Sequence, residues 1–103
     1  MISYIKGEIV YNDSDSLIVE NNGIGYKVIV PAFSAQKLCS QKDQVTVYTY
    51  MSVREDGITL FGFSSVEERS LYEKLISVSG IGPKAAVSIL GVLTPSQLIT
   101  AIV

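Results

Sequence analysis

The sequence has no histidine, no tryptophan and a single cysteine. Histidine and cysteine are the usual zinc and iron ligands, so their scarcity argues against a site for either metal. A Ser-His-Asp triad is excluded, and no Gly-x4-Gly-Lys-Ser/Thr segment is present to bind ATP. We therefore predict no catalytic residue and no cofactor. Cys39 has no partner in the chain, which fits a reducing, intracellular setting, and we interpret it as a buried space-filling residue.

Signals for export or membrane insertion are also missing. Residues 1–8 lack a basic start followed by an apolar block, so they are not a signal peptide. No apolar run is long enough to span a bilayer. The net charge of -2 argues against a generally basic surface that coats nucleic acid. Acidic residues end at Glu73, however, whereas Lys74 and Lys84 follow. We therefore expect any anion-binding site in the C-terminal third.

The first part of the chain has the pattern of a small β protein. The predicted strands lie in the segments ISYIKGEIVY, LIVE, IGYKVIV, QVTVYTYMSV and ITLFGF. Asn22-Gly23 predicts a tight hairpin between the second and third strands. AFSAQKLC, between the third and fourth, predicts a short helix or an irregular connection. Five such strands are typical of a closed Greek-key barrel of the oligonucleotide/oligosaccharide-binding (OB) type, with a small sandwich as the alternative.

The second part of the chain has a helical period. Ser64 with Glu67, or Ser65 with Glu68, has the spacing of a capping box, which predicts a helix over residues 66–78. A second helix is predicted from Pro83 to Gly91, and a third from Thr94. We therefore predict a barrel over residues 1–63 and a small all-α region over residues 64–103. The apolar, uncapped end leads us to expect the front part of a longer protein.

Two glycines, Gly80 and Gly82, flank Ile81 at the join between the first two predicted helices. Glycine permits a positive φ and removes the side chain that would hold a ligand away from the backbone. We expect Ile81 to turn inward and the loop amides to face outward at a helix N-terminus, where phosphate is favoured. Lys84 adds a positive charge there. For the bare Gly-x-Gly-Pro pattern, a glycine stop followed by a proline start is the favoured explanation.

The spacing around the glycines matches the helix-hairpin-helix signature, which binds DNA backbones without reading sequence. The matching residues are Val78, Gly80, Ile81, Gly82, Lys84, Ala86, Ile89 and Leu90. We therefore favour DNA binding over simple punctuation. The predicted contacts to DNA are Ser79, Gly80, Ile81, Gly82, Lys84 and Ala85.

The whole chain resembles the RuvA family of bacterial Holliday-junction-binding proteins. The resemblance lies in MI..I.G.I, NNGIGYKVIVP, VREDG..LFGF, EER.L...LI.V.GIGPK.A..IL and LTPSQLITAI, in order along all 103 residues. It implies an OB-type barrel for oligomerisation and the junction centre, then a DNA-binding helical domain with two hairpins, of which only the first is present here. It also implies a cytoplasmic homotetramer, or two stacked tetramers, holding four-way junction DNA open and flat in recombination and repair.

The same resemblance implies partners. The RuvB ATPase would drive branch migration and the RuvC resolvase would act with the complex, so ATP hydrolysis would belong to RuvB and this chain would not be an enzyme. The C-terminal domain that contacts RuvB in the family has no counterpart in this sequence. We therefore expect both junction affinity and motor coupling to be impaired in this chain alone.

Glu55 and Asp56 are two acids in a predicted tight turn, which by itself is an ordinary surface feature. The resemblance to the RuvA family implies instead that Glu55 and Asp56 form a pin at the tetramer centre, where they would repel phosphates and direct strands outward, and we favour that interpretation. Arg54 either contacts backbone phosphates or offsets its acidic neighbours. Both interpretations of Arg54 stay open.

Further candidates carry weaker signals. Tyr48 and Tyr50 either stack bases or, as we favour, pack against the barrel flank or a neighbouring subunit. Lys6 and Lys27 either line a DNA-facing side or are simply solvated. A helix-hairpin-helix glycosylase is excluded because no carboxylate follows Gly82. A non-catalytic oligomerising scaffold, whose helices only pack, is the alternative function.

Overall fold

The computed structural model describes residues 1–92, which form five strands and three helices. Their order is β1 (Tyr4–Asn12), β2 (Ser16–Asn21), β3 (Ile24–Ile29), α1 (Ala32–Cys39), β4 (Val45–Arg54), β5 (Gly57–Phe63), α2 (Val66–Ile76) and α3 (Pro83–Val92). The helix predicted from Thr94 lies outside the described residues. Among residues 1–92, none of the helices has the length and apolar character needed to cross a membrane.

The strands close into a barrel in the order β1-β2-β3-β5-β4. β4 returns to pair with β1, and this pairing closes the sheet. Neighbouring strands are antiparallel except β3 and β5, which run parallel with Val28 beside Leu60. The predicted five-stranded OB-type barrel is therefore confirmed. The sandwich alternative is wrong, because one continuous hydrogen-bonded sheet surrounds the core.

The barrel core comes from alternation along the strands. The side chains of Leu17, Val19, Val28 and Val47 are fully buried inside it. Burial of each aliphatic side chain of this size contributes about 1.5–3 kcal/mol relative to an exposed position. Asn22 and Gly23 both have positive φ, 49° and 83°, so the predicted hairpin between β2 and β3 is confirmed.

A second apolar cluster joins the helices to the barrel. Tyr72 of α2 is fully buried, and its ring centroid lies 5.1 Å from that of Tyr50, 5.4 Å from Phe61 and 5.0 Å from Phe63. Other members come from α2 and α3: Leu71, Leu75, Ala86 and Leu90. The helical region is therefore packed against the β4–β5 side of the barrel, and this packing places the loop between α2 and α3.

The start of α2 confirms half of the predicted capping box. The Ser65 hydroxyl oxygen accepts a hydrogen bond from the Glu68 amide at 3.1 Å. The reciprocal half is wrong: the Glu68 carboxylate accepts from the hydroxyls of Ser64 and Ser34 instead, because Glu68 is buried. The helix ends at Ile76, before the predicted Val78, since the Val78 amide donates to the Leu75 carbonyl in a tighter turn.

The end of α3 differs from the prediction. The helix continues through Gly91 to Val92, so the predicted stop at Gly91 is wrong. Gly91 lies within the helix, on the side that faces the start of α1. A Cβ atom there would lie 3.4 Å from the backbone nitrogen of Ala32, where α1 begins. At that distance an added Cβ would make an ordinary van der Waals contact, so no atom of residues 1–92 requires glycine at this position.

Cys39 is exposed, so its interpretation as a buried residue is wrong. The buried face of α1 is formed by Ser34 and Leu38, one turn apart. Cys39 directly follows Leu38, and adjacent residues on a helix point in different directions. AFSAQKLC forms the short helix that was one of its two predicted alternatives, but its composition does not reveal which face of the helix is buried.

Candidate nucleic-acid interface

Residues 79–82, the last four of the loop between α2 and α3, are hereafter called the glycine loop. Ser79, Gly80 and Gly82 are exposed, whereas Ile81 is partly buried against the second apolar cluster. Gly80 has a φ of 88°, in the left-handed region that side chains disfavour. Ile81 therefore turns inward as predicted and leaves the glycine backbone on the surface.

The amides of the glycine loop are only partly used within the chain. Ile81 donates to the Val78 carbonyl at 3.2 Å, and Ala86 donates to the Gly82 carbonyl at 3.0 Å. Among residues 1–92, the amides of Gly80, Gly82, Lys84 and Ala85 have no hydrogen-bond acceptor. Unpaired amides at a helix N-terminus, together with the helix dipole, form a favourable environment for an anion.

The two glycines differ in what requires them. A Cβ atom at Gly80 or Gly82 would meet no described atom within 4 Å, so neither is required by a neighbouring group in residues 1–92. Gly80 is required by its positive φ. Nothing within the described chain requires Gly82, and the open space in front of it is available to a ligand that approaches the backbone.

A cleft of about 390 Å³ lies between the β4–β5 hairpin and the start of α3. Arg54 and Asp56 line it from the hairpin, while Gly82, Lys84 and Ala85 line it from the helix. The structure thus brings together candidate site residues from two distant segments. Ser79, Gly80, Ile81 and Glu55 do not line this cleft. They lie on the adjoining glycine loop and at the hairpin turn.

Sequence reasoning missed several residues of this cleft. Ser52, Thr59 and Phe61 line it as well. Ser52 precedes Arg54 by two positions on β4, and Thr59 lies opposite Ser52 on β5. Because side chains alternate along a strand, these residues share the face of Arg54. Once Arg54 had been chosen as a candidate, the alternation of side chains along the strand could have indicated Ser52 as a neighbour on the same face.

Glu55 and Asp56 form the turn of the β4–β5 hairpin, and both are exposed. The ladder continues to the turn, with Val53 opposite Ile58 and Arg54 opposite Gly57. Val53 is 65% and Ile58 67% exposed. The end of the hairpin therefore presents exposed acids at its tip and an exposed apolar pair beside them.

The remaining predicted candidates lie elsewhere. The contact with Tyr72 described above favours the packing interpretation of Tyr50. The Arg69 guanidinium lies 5.9 Å from the Tyr48 ring centroid and donates to the Ser3 carbonyl at 2.8 Å. Lys6 and Lys27 are exposed and line no part of the cleft. Within residues 1–92, no group of three or more histidine, cysteine, aspartate or glutamate side chains is placed to hold a metal ion.

Comparison with known proteins adds to this geometry. Residues 1–62 match the family model described as the RuvA N terminal domain. The chain belongs to the RuvA family. It is 46% identical over 103 residues to the Holliday junction branch migration complex subunit RuvA of Acetivibrio thermocellus, covering 100% of this chain and 51% of that relative.

Other family members are similar to the same extent. The RuvA subunit of Halothermothrix orenii is 46% identical over 102 residues, which cover 99% of this chain and 52% of that protein. The RuvA subunit of a Geobacillus species is 47% identical over 103 residues, which cover 99% and 50%. The chain spans about half the length of the curated relatives it matches.

Proposed function

We propose that this chain is the DNA-binding, non-catalytic portion of a RuvA-type subunit that binds four-way (Holliday) junction DNA without reading its base sequence. The observation that carries the proposal is the cleft in which Arg54 of the barrel and Lys84 of α3 lie beside Gly82. The names of the relatives, Holliday junction branch migration complex subunits, support the same function.

Phosphate is the group that this site fits best. The unpaired amides of Gly82, Lys84 and Ala85 and the dipole of α3 favour an anion, the dipole by about 0.3–1 kcal/mol. Contacts from backbone amides to phosphate oxygens position a duplex but carry no sequence information. Few basic side chains are needed, which agrees with the net charge of -2. We infer that Ser79, Gly80 and Ile81 contact the same DNA backbone just beside the cleft.

The acids at the hairpin turn would act on DNA by repulsion. We propose that Glu55 and Asp56 lie at the centre of a homotetramer, or of two stacked tetramers, where carboxylates exclude phosphates and hold the junction open and flat. The exposed apolar pair Val53 and Ile58 supports this assembly, since a second copy of the chain would remove both side chains from water. Several helix-hairpin-helix motifs in one assembly would also compensate for the weak DNA binding of each single motif.

The two parts of the chain would then divide the work. We propose that residues 1–63 provide assembly and the junction centre, while residues from 64 onward grip the DNA arms. The relatives are named as subunits of a branch migration complex, which supports a partner that drives strand exchange. We assign ATP hydrolysis to a RuvB motor and resolution of the junction to RuvC, with this chain acting in the bacterial cytoplasm.

The experiment that tests the proposal compares a labelled four-way junction with a linear duplex of the same arm sequence. The protein as encoded by its gene is titrated at several salt concentrations, and its mass is measured by light scattering with and without the junction. We expect tighter binding to the junction, no effect of scrambling the arm sequences, and a linear fall of log K with log salt. Gly82→Val and Lys84→Glu should weaken binding without changing the oligomer.

A non-catalytic scaffold is the second candidate, and the exposed pair Val53 and Ile58 favours it equally well. A scaffold would assemble to the same mass but bind no junction. If the assembled wild type shows no salt-dependent binding to the junction, the DNA-binding proposal fails and the scaffold is supported. If it binds the junction but neither Gly82→Val nor Lys84→Glu weakens that binding, the cleft is not the binding site.

A further inference from the structure

Glu68, in the first turn of α2, is a carboxylate enclosed by the protein. Only 3% of it is exposed, and it accepts a hydrogen bond at 2.7 Å from the Ser34 hydroxyl, itself 1% exposed. The Ser64 hydroxyl, at the exit from β5, donates to the same carboxylate at 2.7 Å. An apolar residue would fill such a position without the desolvation penalty of a carboxylate. A buried acid held by two hydroxyls therefore requires an explanation beyond packing.

Glu68 and its hydrogen-bond partner Ser34 belong to different parts of the molecule. Ser34 lies on α1, which connects β3 to β4 of the barrel, whereas Glu68 opens the helical region. Among the described residues, two side-chain hydrogen bonds join α2 to residues 1–63 of the barrel part: Ser34 to Glu68, which is buried, and Arg69 to the Ser3 carbonyl, which is exposed. Buried hydrogen bonds to a charged group are stronger than those in contact with water. Glu68 is thus the main directional connection between the two parts.

The other contacts between these parts are less directional. The rings around Tyr72 and the approach of Gly91 to Ala32 are van der Waals contacts, which constrain distance more than rotation. A hydrogen bond also has a preferred angle. Fixing the first turn of α2 against α1 restrains rotation of α2, and with it the glycine loop that follows.

We propose that Glu68 is a positioning residue for junction binding. Its bonds to Ser34 and Ser64 hold α2 in the orientation that places the glycine loop and Lys84 opposite Arg54 across the cleft. This inference rests on the proposed function. A four-way junction must meet the β4–β5 hairpin and the glycine loop together, whereas a linear duplex can bind the glycine loop alone. Loss of the orientation should therefore weaken junction binding more than duplex binding.

The test uses Glu68→Ala, which removes both acceptors, and Glu68→Gln, which keeps one acceptor oxygen at nearly the same volume. Glu67→Gln is the matched control, because Glu67 is exposed on the same turn and the change in net charge is identical. We expect the ratio of junction affinity to duplex affinity to fall roughly tenfold in Glu68→Ala and less in Glu68→Gln. Glu67→Gln should keep the wild-type ratio. Ser34→Ala, a milder change, should lower the ratio in the same direction.

A DNA-free measurement separates this inference from the proposed function. Spin labels at Lys27→Cys and Ser79→Cys, in a Cys39→Ser background, report the distance between the barrel and the glycine loop. We expect a narrow distribution in the wild type and a broader or shifted one in Glu68→Ala, or in Ser34→Ala if Glu68→Ala does not fold. An unchanged distribution with an unchanged affinity ratio in a folded variant would overturn the inference. A wild type that shows no preference for junctions would instead refute the proposed function, while the distances still decide whether Glu68 sets the orientation.

Discussion

Arg54 and Lys84 line the same cleft, although the first ends a strand of the barrel and the second lies in the first turn of a helix. Packing of Tyr72 against β4 and β5 creates this proximity, because it fixes α2 and the glycine loop on that side of the barrel. Asp56 lines the cleft as well. A phosphate backbone entering the cleft would meet cations from two elements and then a carboxylate, which favours a path that turns away from the hairpin tip.

The first prediction concerns Lys84. Lys84→Ala should weaken binding of both junction and duplex, because a phosphate that the lysine no longer neutralises keeps its condensed counterions. The slope of log K against log salt should become shallower by about 0.9 for each such phosphate in B-DNA. Titration at four or more salt concentrations measures it.

Lys42→Ala is the matched control, since Lys42 is an exposed lysine outside the cleft and the change in charge is the same. It should leave the slope close to that of the wild type. Equal slopes for Lys84→Ala and Lys42→Ala would mean that Lys84 does not bind phosphate directly.

The second prediction separates the two glycines by stability. Gly80→Ala should lower the free energy of unfolding by about 1 kcal/mol, because alanine is strained at a φ of 88°. Gly82→Ala should change it by less than about 0.5 kcal/mol, because no described atom lies within 4 Å of the added Cβ. Urea unfolding measures both. A destabilisation of Gly82→Ala as large as that of Gly80→Ala would show that Gly82 is needed for the fold and not for a ligand.

The barrel was predictable because its signals are local. Alternating residues, the Asn22-Gly23 turn and the change of period after Phe63 each act over a few positions, and each is confirmed in the fold. The cleft was not predictable as a unit, because it depends on where α2 packs. The bond between Ser34 and Glu68 joins residues 34 positions apart, and no local pattern indicates it. The stop predicted at Gly91 was wrong because a glycine near the end of a helical segment can also lie inside the helix, as it does in α3.

The third prediction concerns the acids of the hairpin turn. Glu55→Gln combined with Asp56→Asn should preserve or tighten junction binding, because the repulsion between these carboxylates and phosphates is removed. The gain should shrink at high salt, since both side chains are exposed and screened. Junction titrations at low and high salt test this. A large loss of affinity would show that the acids make a favourable contact instead.

The fourth prediction addresses assembly. Ile58→Glu should lower the mass measured by light scattering, because it places a charge in the apolar pair formed with Val53. The fold should persist, since Ile58 is 67% exposed in the single chain. Ile24→Glu is the control, because Ile24 is 55% exposed at the start of β3, outside the β4–β5 hairpin. If both variants keep the wild-type mass, the apolar pair is not a subunit contact.

The fifth prediction uses the buried phenol of Tyr72. Burial raises the pKa of Tyr72 from 10.0 to about 12, with a further contribution from Tyr50. The folded state therefore holds the proton more tightly than the unfolded state, so the stability from this group is complete below pH 10 and is lost between pH 10 and about pH 12. Its hydroxyl has no hydrogen-bond partner among the described residues. Tyr72→Phe should thus keep the ring packing. At pH 7 its free energy of unfolding should be between that of the wild type and about 1 kcal/mol higher. Above pH 10 its stability should fall less steeply with pH than that of the wild type.

The matched control for this phenol is Tyr11→Phe, because Tyr11 is 55% exposed on β1. Urea unfolding at pH 7 and at steps between pH 9 and pH 12 compares the two variants with the wild type. Only Tyr72→Phe should reduce the slope of stability against pH, because it removes the buried phenol whose pKa is raised by folding, whereas Tyr11→Phe removes an exposed one. If the stability of Tyr72→Phe falls with pH as steeply as that of the wild type, the wild-type Tyr72 phenol ionises as easily in the folded state as in the unfolded state. The packing between helices and barrel would then be open to water, and the positions of Lys84 and Arg54 across the cleft would lose their rigid support.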